Sequence, residues 1–200
     1  MKGYFIGGSP CSGKSTVAQA IAERHGFIYF KADDKLEEYT TVGAKLGFPI
    51  CSKQRNMTAE QIWMRSPAVQ AAEERAFYHE IFPLVMLDIK KLSTPFIAEG
   101  VAFLPELMKA YGVPFENYIF ITPTREFQIE HYRTREWVPF LLQGCLNPKK
   151  AFENWMERDA LFAEAVRHRC VEAEYFALLT DGAESVEKMT ETVACHFKLI

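Results

Sequence analysis

The chain has 200 residues, 48% of them hydrophobic and 24% charged, the proportions of an ordinary folded domain with ample material for a core. Its 23 basic and 26 acidic side chains leave a net charge of −3, which gives no footprint for nucleic acid, and no apolar run approaches the roughly 20 residues of a membrane span. The cysteines (Cys11, Cys51, Cys145, Cys170, Cys195) have no metal-ligand spacing and Lys2 precedes too few apolar residues for a signal peptide, so a cytoplasmic protein with free thiols is expected.

Tyr4-Phe5-Ile6 reads as a first buried strand and Ser15 to Arg24 as the helix after it. Phe27 to Phe30 is a second strand, followed by the acidic pair Asp33-Asp34 and a polar, partly helical stretch to about Ser66. Ser66-Pro67 opens a long helix toward Leu92, with Pro83 inside it expected to introduce a kink. Phe96-Ile97-Ala98 is a third strand, ending in Glu99-Gly100, and Leu104 to Ala110 is a helix. Tyr118 to Ile121 is a fourth strand, followed by helices over 124–137 and 148–170. Tyr175 to Leu179 is a fifth, and a last helix covers 185–197. Continuous apolar strands alternating with helices predict an α/β fold, a doubly wound parallel five-stranded sheet. Ligands on such sheets bind beyond the carboxyl ends of the strands.

The first of those ends carries the most specific signal. Gly8-Ser9-Pro10-Cys11-Ser12-Gly13-Lys14-Ser15 matches G-x-x-x-x-G-K-[ST] between a strand and a helix. The two glycines let the backbone curl so that successive N–H groups face one anion, and the helix adds its N-terminal dipole. Lys14 supplies a charge for the β- and γ-phosphates, the Ser15 hydroxyl a ligand for Mg²⁺, and Thr16 a further phosphate contact. Pro10 and Cys11 fill variable positions. This is a triphosphate site, with ATP and Mg²⁺ as the expected ligands.

No N-K-x-D run is present to read a guanine base, and the third strand ends in one carboxylate rather than the acidic pair of a motor ATPase. Here the chain resembles the small P-loop kinases, the group that includes nucleoside monophosphate, shikimate and gluconate kinases. The resemblance runs in order along nearly the whole chain: the cradle, Asp33-Asp34, Glu99-Gly100, the arginines after strand four, and Thr180-Asp181-Gly182 after strand five. It implies a single domain over 1–200, with an acceptor-binding insertion at about 40–68 and a helical lid at about 131–160.

On that resemblance Asp34, or Asp33, contacts the acceptor hydroxyl and takes its proton, with Asp34 preferred; either also suits a helix cap. Glu99 would orient Mg²⁺ or bind the acceptor. Gly100-Val101-Ala102 lacks the arginine that nucleotide kinases often carry there, which weakens a monophosphate acceptor. Arg125, Arg133, Arg135 and Arg158 are candidates for gripping phosphate oxygens, with Arg133 in the catalytic role. At about 100° per residue Arg133 and Arg135 point nearly oppositely, so both serve only if the helix breaks between them. Asp159 points into the stripe of Phe152, Trp155, Met156, Phe162 and Val166, where a carboxylate must be paired or wet. Lys53, Arg55, Trp63 and Arg65 are the side chains that would hold an anionic or aromatic acceptor. The expected activity is ATP-dependent phosphorylation of a small-molecule hydroxyl by a monomer or homodimer. The rivals are a nucleoside monophosphate kinase and an ATP-binding regulatory or toxin-like protein acting on a macromolecule.

Overall fold

The computed structural model describes residues 3–200. In chain order the elements are β1 (Gly3–Gly8), α1 (Lys14–His25), β2 (Ile28–Lys31), α2 (Leu36–Lys45), α3 (Pro49–Arg55), α4 (Ala59–Trp63), α5 (Pro67–Ile89) and β3 (Phe96–Glu99). There follow α6 (Pro105–Ala110), β4 (Tyr118–Pro123), α7 (Arg125–Arg133), α8 (Val138–Leu142), α9 (Pro148–Glu172), β5 (Phe176–Thr180) and α10 (Val186–His196). Every strand pairing is parallel and the order is β2-β3-β1-β4-β5, so the sheet is doubly wound, as expected.

Side-chain alternation explains why both faces are covered. Phe5, Phe96, Ala98, Tyr118 and Phe120 point to one face, where they meet Phe77, Ile81 and Val85 of α5 and Phe162 and Val166 of α9. Ile6, Ile97, Ile119 and Ile121 point to the other, against Val17, Ile21, Met189 and Val193 of α1 and α10. Aromatic side chains fill the deeper layer and isoleucines the thinner one. Each fully buried side chain of this kind contributes about 1.5–3 kcal/mol.

The polar stretch before α5 is three short helices braced from outside. Glu80 of α5 accepts hydrogen bonds from Ile50 N at 2.8 Å and Cys51 N at 2.9 Å, capping α3 from another element. Thr58 and Gln61 form a capping box on α4. The α4–α5 connection is pinned by Asn154 and Gln70, whose amides donate to Trp63 O at 3.0 and 3.3 Å. α5 continues through Pro83, which stands on its exposed side, so water can reach the carbonyl that proline deprives of a donor. A third apolar cluster, Tyr132, Val138, Leu142, Trp155 and Met156 with Trp63 packed on it, joins α7–α9 to α4.

Candidate functional site

β1 ends at Gly8 and α1 begins at Lys14, so the intervening loop bends around a small concavity. Gly13 caps α1 in the left-handed region at φ 78°, and no side chain bonds to the helix's first N–H groups. Those donors are left for a ligand. A Cβ at Gly8 would lie 2.5 Å from Ile121 O and 2.9 Å from Ser12 Oγ, so only glycine fits there. The Ser9 and Ser12 hydroxyls are buried without a hydrogen-bond partner among the described residues, a costly state that a bound anion would relieve. The adjoining cavity is about 600 Å³ and takes in Pro10 through Thr16, Lys31, Asp33, Tyr132, Arg135 and Trp137. This loop fits a polyphosphate.

Lys14 stands between two carboxylates. Its Nζ is 3.1 Å from Asp33 Oδ2 and 3.9 Å from Glu99 Oε2. Asp33 is fixed by accepting from Val101 N at 3.0 Å, beside Gly100, where a Cβ would meet Ala32 Cβ at 2.8 Å. Asp33 and Asp34 lie on a 3₁₀ turn, Ala32–Lys35, and so diverge. Asp34 turns to Lys31 at 2.6 Å and its side chain is 64% exposed, off the cradle. Glu99 is fully buried. Its Oε1 accepts from Ser15 Oγ at 2.9 Å and from the Tyr29 hydroxyl at 3.1 Å, while Oε2 has no hydrogen bond among the described residues. Burial pushes the Glu99 carboxyl above its ordinary range; Lys14 opposes this and Asp33 adds to it. With Ser15, it supplies the oxygen donors a divalent cation takes.

The arginines sort differently from expectation. α7 ends at Arg133 and the chain turns at Thr134, whose hydroxyl donates to His131 O at 2.9 Å. Arg133 therefore faces a surface groove with Lys149 and Phe152, off the cradle. Arg135 is the arginine in the cradle's cavity: its Nη2 lies 3.7 Å from Cys11 Sγ and its guanidinium sits 5.6 Å from the Trp137 ring centre. Arg125 is exposed and pairs with Glu157 at 2.5 Å, also away from the cradle. Arg158 is buried, its Nη1 2.5 Å from Glu74 and its Nε 2.5 Å from Asp159 Oδ1, so it ties α9 to α5 and does not line the cradle's cavity. Asp159 is thus the paired carboxylate its place in the apolar stripe required. Burial raises its carboxyl's affinity for a proton, and Arg158 offsets this in part.

Arg158 also lines a second cavity of about 380 Å³ between α2, α4 and α5. Arg55, Trp63 and Arg65 line it as well, while Lys53 does not. Trp63 is stacked on Trp155 at 4.4 Å and has the Arg158 guanidinium 5.4 Å from its ring centre, so its ring is already engaged by two neighbours. Arg65 and Lys53 both pair with Glu73 and, against its partial burial, hold that carboxyl below the usual range. Arg55 reaches only the Thr41 hydroxyl among the described residues. Tyr78, Glu74 and Arg158 line this cavity, and Tyr132 lines the cradle's. Tyr29, Glu73 and Glu74 escape sequence reading, since each is an ordinary residue for its strand or helix and gains meaning only from its register or facing neighbour.

Asp181 is exposed and accepts from Ala183 N at 2.9 Å, closing a turn after β5. Thr180 O accepts from Thr124 N at 2.8 Å, which fastens that turn to the start of α7.

Neither a model of a known protein family nor a curated protein sequence matches this chain. Solved structures do. It is similar to a shikimate kinase from Bacteroides thetaiotaomicron, with 15% identity over 98% of both chains and a TM-score of 0.53. It is also similar to a shikimate kinase from Acinetobacter baumannii in complex with shikimate, with 14% identity over 96% of this chain and 90% of that one and a TM-score of 0.50. A protein from Thermus thermophilus matches at 17% identity over 96% of both, with a TM-score of 0.53. At such identities the likeness is one of fold. The chain has the α/β fold of these shikimate kinases over nearly its whole length.

Proposed function

We propose that this protein is a phosphotransferase that moves the γ-phosphoryl group of ATP, as its Mg²⁺ complex, to a hydroxyl of a small acceptor. The observation that carries the reading is the placement of Lys14 between Asp33 and Glu99 at the mouth of the cradle. One cation is shared by a carboxylate suited to an acceptor and a carboxylate suited to a metal. The fold and the bound shikimate of one structural neighbour support a small-molecule acceptor without naming it.

In this reading the loop's N–H groups with Ser9 and Ser12 bind the polyphosphate, and Ser15 with Glu99 holds the cation. When bound, Mg²⁺ neutralises charge on the phosphate oxygens. Lys14 moves from Asp33 to the transferred group, which frees Asp33 to align the acceptor hydroxyl. Asp33 takes the hydroxyl proton as the acceptor oxygen bonds to the γ-phosphorus and the bond from that phosphorus to the leaving oxygen breaks. Arg135 covers the cradle from the α7–α8 turn and stabilises charge on the equatorial oxygens. The acceptor hydroxyl lies at Asp33, and the rest of the acceptor extends past Tyr78 toward the cavity above α4, where Arg55 offers a charge not committed to a carboxylate. A nucleobase stacking on Trp63 would compete with Trp155 and Arg158, which counts against a nucleoside monophosphate.

ATP consumption should be followed against polyols, sugar acids, amino alcohols, nucleosides and nucleotides, with purified proteins as further acceptors. Asp33→Asn is expected to lower turnover by about 10²–10⁴-fold while ATP affinity holds, and Asp34→Asn to leave turnover nearly unchanged. Intact turnover in Asp33→Asn removes the assigned base. A Lys14→Ala protein that binds ATP–Mg²⁺ normally removes the cradle, and phosphate appearing only on proteins favours the regulatory or toxin-like rival.

A further inference from the structure

Both hydrogen bonds to the Glu99 carboxylate fall on one oxygen. Oε1 takes Ser15 Oγ at 2.9 Å and the Tyr29 hydroxyl at 3.1 Å, and Oε2 is left buried, unbonded among the described residues and 3.9 Å from Lys14 Nζ. Tyr29 reaches Glu99 through strand register. Lys31 of β2 lies beside Glu99 of β3 and Tyr29 beside Ile97, so Tyr29 and Glu99 project from the same face of the sheet, toward α1. The terminal torsion of a glutamate is soft, and a carboxylate at the end of an apolar strand has little else to fix it. Two donors on Oε1 set that torsion and leave Oε2 on the Lys14 side. Ser15 spends its only proton on the same oxygen, so its lone pairs remain for a cation.

We propose that Tyr29 is a positioning residue for the divalent cation: by anchoring Oε1 of Glu99 it keeps Oε2 presented beside Lys14 and Ser15, whatever the rotamer of Ser15. The inference rests on the phosphotransfer reading above and concerns metal affinity within it. Hydrogen-bond partners that orient metal ligands typically weigh about 10–100-fold in affinity. The bland role for Tyr29 is packing, since its ring lies against the isoleucine layer between the sheet and α1. Tyr29→Phe separates the two, because it keeps the ring and removes only the hydroxyl.

The experiment is a Mn²⁺ titration of the ATP-loaded protein, read by the spin resonance of free Mn²⁺, alongside ATP affinity in EDTA and the melting temperature. Tyr29→Phe is expected to bind Mn²⁺ about tenfold more weakly, with metal-free ATP affinity within about twofold of the parent. The double variant Tyr29→Phe/Glu99→Gln should bind Mn²⁺ no more weakly than Glu99→Gln alone, because the hydroxyl acts through the carboxylate. Unchanged Mn²⁺ affinity in Tyr29→Phe, or losses that add in the double variant, overturns the proposal. A parent protein that does not bind ATP at all fails earlier and takes the phosphotransfer reading with it.

Discussion

Cys11 has a left-handed backbone, φ 62°, at the tip of the phosphate loop. A side chain with a Cβ costs roughly 1–2 kcal/mol there, and glycine avoids that cost while gaining freedom in the unfolded chain. Cys11→Gly is therefore expected to stabilise the protein by about 0.5 kcal/mol, seen as a higher denaturant midpoint, with ATP affinity kept. A lower midpoint would show that the thiol's contact with Arg135 outweighs the strain. Glu99 yields a prediction in pH. Its folded carboxyl holds a proton to higher pH than the ordinary 4.5, chiefly through burial. Its contribution to stability is accordingly full below that ordinary value and is lost as pH rises through the folded one. Glu99→Gln keeps an uncharged group at every pH. Without nucleotide it should melt above the parent at pH 7, and the difference should shrink toward pH 4; a constant difference over that range contradicts the assignment.

The α7–α8 break shows what elements add to residues. A helix carried from 124 to 137 would leave Arg133 and Arg135 on opposite sides, but α7 stops at Arg133, and Arg135 joins the cradle from the turn. Beyond the break, Pro139 stands at the start of α8, where its missing N–H costs nothing. Arg135→Ala is expected to lower turnover by about 10²–10³-fold and Arg133→Ala by less than about twofold, measured as ATP consumption with the identified acceptor. The reverse order would place the catalytic arginine on the helix after all. The sheet was legible because strand patterning depends on local apolar runs, and the loop from Gly8 to Ser15 because its backbone geometry demands particular residues. The short helices α2–α4 were not, since α3 takes its cap from Glu80, thirty residues away from Ile50. The preference for Asp34 over Asp33 could not take account of the 3₁₀ turn that separates them, because that turn depends on Val101 and Lys31 as partners.

Taken whole, the molecule joins its two cavities through an aromatic cluster rather than through the sheet. Trp63 of α4 stacks on Trp155 of α9, and Tyr132 and Trp137 from the α7–α8 region close on the same ring at 5.0 and 5.9 Å. Trp63, Trp137 and Trp155 are all three tryptophans of the chain, so its tryptophan emission reports this cluster. Trp137 lines the cradle's cavity and is 41% exposed, whereas Trp155 is 3% exposed. A ligand that draws Arg135 off Cys11 also moves the guanidinium resting over Trp137, which alters the polarity around that indole. Adding ATP–Mg²⁺ is thus expected to shift tryptophan emission, and Trp137→Phe to remove most of the shift. Lys14→Ala should abolish the shift while leaving the unliganded spectrum unchanged. If Trp137→Phe retains the full response, the signal originates at Trp63 and Trp155. Nucleotide would then be felt through the aromatic cluster by the cavity above α4, and the two cavities would be coupled rather than merely adjacent.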